Sequence, residues 1–88
     1  MLIYLGQKGL WQDFDTQLEY IEHNYKSLTW SNRTFGDDIF EAARFLVQIP
    51  RPEMAKRCTR ILCKRWKGTP FWPRLQELLV TLELVTLF

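Results

Sequence analysis

The side chains best suited to chemistry are cations, and they are concentrated in one segment. Between Arg51 and Lys67 the chain carries seven basic residues and one acidic residue, a local charge of +6. The other residues hold five basic and nine acidic side chains, so a net charge of +2 hides a basic segment on an acidic-to-neutral body. Lys56, Arg57, Arg60, Lys64 and Lys67 recur every three to four residues and form one helix face about 15–20 Å long, at a rise of about 1.5 Å per residue. Duplex DNA carries one charge per about 1.7 Å of axis, so such a face spans several phosphates. Arg57, Arg60 and Lys64 are the expected central contacts, with Lys56 and Lys67 at the edges. Phosphate contacts of this kind bind without sequence preference. The same face also suits an acidic protein surface, such as the Asp13–Glu22 region of a second copy, or a peripheral membrane surface. Its plainest use is to keep the protein in solution.

Aromatic residues flank the basic face. Trp66 and Trp72 bracket its end, with Phe71 between them, and Trp11 and Trp30 bring the tryptophans to four. An exposed ring beside lysines and arginines can stack on a base or cap a duplex end, and Trp72 is the candidate for that role. The alternative use of large rings is to fill a small core or an inter-subunit contact. Trp66, Phe71, Leu87 and Phe88 are the candidates for contact with a partner.

Catalytic and metal chemistry finds little support. His23 is the single histidine and lies on the polar side of its helix beside Glu19 and Glu22. Cys58 and Cys63 are five residues apart, which sets their side chains about 140° apart on a helix and makes a disulfide between them geometrically poor. The basic surroundings would lower a thiol pKa, but neither cysteine has a histidine at helical spacing, and Cys58 is expected to be buried. Asp37-Asp38 reads as the N-terminal charge of a helix, since two adjacent carboxylates do not make a cation site. No Cys/His set has zinc-ligand spacing, and the glycines are too scattered for a phosphate loop. The expectation is a protein that is not an enzyme, with no metal and no cofactor.

These side chains need elements to hold them. Eighty-eight residues with 47% apolar and 25% charged content make one domain with a small core, spanning residues 1–88. Leu2 to Leu5 reads as a short strand or an apolar arm, followed by a turn at Gly6 to Gly9. Phe14, Leu18, Ile21 and Tyr25 step by four, three and four and mark a first helix capped by Asp13 or Asp15. A second helix starts between Thr34 and Asp37 and ends before Pro50; its wide apolar face suits a central position. Pro52 opens the basic helix and Gly68 closes it, with Met54, Cys58, Ile61, Leu62 and Trp66 toward the core. Pro73 opens a last helix through about Leu82, after which helical and two-residue periods both fit. The expectation is a mainly α protein of about four helices.

The leading segment is too short and the C-terminal segment too interrupted by Glu77 and Glu83 for a membrane span, and no secretory signal is read. Reduced cysteines and an intracellular setting follow as expectations.

Thr34-Phe-Gly-Asp-Asp-Ile-Phe40, then Ala55-Lys-Arg57, then Lys67-Gly-Thr-Pro70 resembles the small precoat proteins of plant geminiviruses. In that family a Thr-Leu-Gly-x-Asp stretch precedes an arginine-rich helix and a Gly-Ser/Thr-Pro element at similar spacing. Phe14 and Leu18 fall near a Phe and a Leu of the family, so the resemblance covers roughly Phe14 to Gln76. It implies a viral suppressor of host RNA silencing and movement factor, with RNA and host proteins as partners, in the host cytoplasm or nucleus. It would place Arg57, Arg60 and Lys64 in the segment linked to those roles.

The leading expectation is thus a helical nucleic-acid-binding protein that favours RNA. It is expected to pair as a homodimer, because a short chain with an apolar tail gains core by pairing. The alternative is an adaptor whose basic helix meets an acidic patch of a host or cellular protein, with Trp72 as its anchor.

Overall fold

The computed structural model describes residues 1–27, 35–49 and 51–87, with side chains described as far as Leu84. Five helices follow in order: α1 (Leu2–Gln7), α2 (Trp11–Asn24), α3 (Phe35–Gln48), α4 (Pro52–Trp66) and α5 (Trp72–Leu87). The protein is a small, mainly α-helical domain, and no strand occurs among the described residues.

Pro52 occupies the first turn of α4, where its missing N–H costs nothing. Lys67 leaves the helix in an extended conformation, and Gly68 takes a positive φ of 82°, a region open to glycine. The turn is then fixed by Thr69, whose N–H and hydroxyl both donate to the Trp66 carbonyl, at 3.0 and 2.6 Å. Inward from these ends, Ala55, Cys58, Ile61, Leu62 and Trp66 form the buried side of α4.

α3 is the centre of the bundle and packs against α1, α4 and α5. Gly36, Ile39, Phe40, Ala42, Ala43, Leu46 and Val47 are all buried, as the width of its apolar face predicts. The closest approach is at Gly36. A Cβ there would stand 2.7 Å from Trp66 Nε1 and 3.1 Å from two further indole carbons. Gly36→Ala is therefore expected to destabilise by about 1–3 kcal/mol through overpacking, which a thermal melt reads as a fall of about 5–15 °C. A melt within 2 °C of wild type would mean that the indole moves aside freely.

Two readings from sequence need correction, and a third that was open is decided. Leu2–Gln7 is a helix, neither strand nor arm, because its N-terminal end is satisfied from α3. Asp38 accepts from the Leu2 and Ile3 N–H groups at 2.8 and 3.2 Å and pairs with the Met1 ammonium at 2.8 Å. Leu2 and Gly6, one turn apart, are its buried face. Asp38 thus serves α1 as well as the first turn of its own helix. At α2, the helix starts at Trp11, and neither Asp13 nor Asp15 caps it: Leu10 is the capping position and makes no side-chain bond. Finally, α5 continues as one helix to Leu87. It seats Leu75, Leu78 and Leu82 on the core and leaves Val80 and Leu84 exposed.

Candidate nucleic-acid interface

At 100° per residue, Lys56, Arg60 and Lys64 fall within about 80° of one another on α4, and Lys67 follows as the extended residue at its end. Arg57 lies just beyond that arc, on the side toward α2, and there its role changes. The guanidinium donates to Glu22 from Nε at 3.2 and 3.3 Å and from Nη2 at 2.6 Å, and to Asp15 from Nη1 at 2.5 Å. Asp15 and Glu22 stand seven residues apart on α2, two turns along one face, and so reach the same group. The hydrogen bonds that it donates, to Glu22 chiefly and to Asp15, hold the Arg57 guanidinium in its charged form more firmly than a free arginine, against the opposing pull of partial burial. Arg57 is therefore an ion-paired, partly buried side chain and not a free cation on an open face. Its donors are taken by acids of the same chain, the region first considered as part of a second copy.

The remaining cations divide by what holds them. Lys56 has Glu53 at 3.6 Å, an exposed i,i+3 pair of the kind worth at most about 0.5 kcal/mol. Arg60, Lys64 and Lys67 are exposed and have no ion pair among the described residues. Lys64 Nζ sits 5.2 Å from the Tyr25 ring centroid. Arg51 lies over the Trp11 ring at 4.0 Å, and Arg74 lies over Phe40 at 4.7 Å while reaching Asp37 at 3.4 Å. The open part of the basic face is thus Arg60, Lys64 and Lys67, with Lys56 weakly held at one end.

The aromatic candidates lie in or against the core, as their core-filling reading has it. Trp66 is fully buried, with Phe40 and Phe71 rings at 5.5 and 5.3 Å, so it is a core residue and offers nothing to a partner. Phe71 and Trp72 are part-buried and pack on the core, so neither presents a whole ring to a partner. The Leu87 side chain and all of Phe88 lie outside what is described, as do Trp30, Thr34 and Pro50.

Tyr25 went unrecognised as a surface group because it completes the apolar steps of α2. It follows the last residue of that helix, half-buried, at a concavity of about 120 Å³ lined by Glu22, Tyr25, Arg57, Arg60, Ile61 and Lys64. The signal available in sequence was its place at the polar end of the stripe, beside Asn24 and Lys26.

The groups considered for catalysis are dispersed. His23 is exposed, 4.0 Å from Glu19. Both cysteines are free; burial pushes the Cys58 thiol up to about 12, against the opposing Arg57 charge, and raises that of Cys63 as well. Their basic surroundings therefore do not activate them: desolvation outweighs the nearby charge. Among the described residues, no three His, Cys, Asp or Glu side chains gather where a metal could be held, and no helix is long and apolar enough to cross a membrane. No protein-family model, curated protein or solved structure matches the chain.

Proposed function

We propose that this chain is a small, non-enzymatic RNA-binding protein that holds phosphates through one face of α4. One observation carries the reading: after Arg57 and Lys56 are paired within the chain, Arg60 and Lys64, one turn apart on α4, and Lys67 at its end remain exposed, with no ion pair among the described residues. A face retained only for solubility has no need of such alignment, and an acidic body elsewhere keeps the rest of the molecule from competing for the strand. The resemblance to the precoat proteins favours RNA as the nucleic acid and suppression of host RNA silencing as the setting, inside the host cell. Pairing into a homodimer would set two such faces on one surface.

The test is a titration with labelled RNA at 50 and 200 mM salt, with light scattering on the same sample. Three or four phosphate contacts on a single strand predict about a 20- to 50-fold loss of affinity over that range. Arg60→Glu with Lys64→Glu and Lys67→Glu should remove binding at 50 mM salt while the helical signal stays at wild-type strength, because all three side chains are exposed. Wild-type affinity in that triple variant would overturn the reading.

A further inference from the structure

The concavity where α2 meets α4 carries a more specific statement, which rests on the RNA-binding reading: we propose that the protein takes single-stranded RNA and stacks one unpaired base on Tyr25. The lining divides by chemistry. Tyr25 supplies an aromatic face, buried Ile61 an apolar floor, and Arg60 and Lys64 two exposed cations at the mouth. Glu22 and Arg57 close the inner wall by satisfying one another, at 2.6 Å. The ring is turned toward the basic face, because the Lys64 ammonium stands 5.2 Å from its centroid. An aromatic surface and two phosphate contacts are thus within reach of one nucleotide.

Size and geometry select the ligand. At about 120 Å³ the concavity is well below the roughly 300–1,000 Å³ of sites that enclose a small molecule, so it accepts one planar group of something larger. In a duplex the base faces are stacked inside the helix and cannot reach a ring set at the edge of a basic face. An unpaired base can, and aromatic stacking tolerates any base. Lys64 changes partners in this event: its flexible stem carries the ammonium from the ring face to the adjoining phosphate, clearing the ring as the base arrives. Arg60, one turn back on α4, holds the next phosphate.

The experiment measures anisotropy at 50 mM salt with three probes: a 12-nucleotide single-stranded RNA, the same backbone with abasic ribose in its central positions, and a blunt 12-base-pair RNA duplex. Wild type should bind the single strand about 5- to 150-fold more tightly than the abasic strand, the range that one base–aromatic stack supplies. Tyr25→Leu should bring the single strand down to the abasic level and leave the abasic strand and the duplex unchanged; Tyr25→Phe should keep the wild-type preference. Equal binding of base-bearing and abasic strands by wild type would overturn the inference and leave the phosphate reading intact. So would an equal loss on all three probes in Tyr25→Leu, which marks the ring as structural. No binding of any probe by wild type would remove both.

Discussion

Trp66→Ala is expected to cost about 3–5 kcal/mol, the range for removing a large buried aromatic. That is a large part of the roughly 5–10 kcal/mol that holds a domain of this length together. The indole is fully buried at the end of α4, between the Phe40 ring of α3 and the Phe71 ring of the turn that leads into α5. Its loss leaves three elements facing a void, and a thermal melt should fall by about 15–30 °C. Trp66→Phe should cost less than the lost volume alone implies. The indole N–H is buried with no acceptor among the described residues, and the substitution removes that donor. It also removes the atom that a Cβ at Gly36 would strike at 2.7 Å, so Gly36→Ala should be milder in the Trp66→Phe background than in wild type. A Trp66→Ala melt within 5 °C of wild type would mean that this corner of the core is not packed as described.

What sequence disclosed and what it concealed divide along contact distance in the chain. α3 and α4 were legible because local signals agree: apolar steps of three and four, Pro52 at one end and Gly68 at the other. α1 was not, because six residues do not hold a helix alone. Its stabilising partner, Asp38, lies 36 residues from Leu2. The end of α5 was ambiguous for a different reason: Val80, Leu82, Leu84 and Thr86 satisfy a two-residue period while Leu75, Leu78 and Leu82 satisfy a helical one, and packing on α3 and α4 decides between them. At the interface, the alignment of Lys56, Arg60 and Lys64 is a property of helix geometry and could be read directly. That Arg57 leaves the set could not, because its partners stand 35 and 42 residues away. The usable clue was the seven-residue spacing of Asp15 and Glu22, which puts two carboxylates on one side of α2 where a single guanidinium spans both.

Arg57→Glu is the variant in which this difference has the largest consequence. On an exposed stripe, reversing one charge leaves the fold alone. Here it sets a third carboxylate against Asp15 and Glu22 and removes the group that ties α2 to α4. The Arg57 and Glu22 side chains are 27% and 26% exposed, and Asp15 is about half exposed. A fully buried pair broken from one side costs about 3–5 kcal/mol; solvent access at Asp15 and at the outer edge of the guanidinium brings the expectation to about 2–3 kcal/mol. The melt should fall by about 10–20 °C in low salt. Part of that fall should return at 1 M salt, where the Debye length is about 3 Å and the repulsion among carboxylates is screened. Arg57→Met should be milder, since it removes the charge without adding another and keeps an apolar stem. An unchanged melt for Arg57→Glu would mean that α2 docks without the ion pair. The stability loss also decides how binding experiments are read: RNA binding lost in Arg57→Glu reports on the fold, whereas loss in the Arg60, Lys64 and Lys67 variant reports on the interface. Glu22→Gln reverses the logic. It weakens the hold on Arg57, lets the guanidinium turn toward a phosphate, and should raise RNA affinity at 50 mM salt while lowering the melt. Stability and binding then move in opposite directions, as expected where acids of the protein and phosphates of the ligand compete for one arginine.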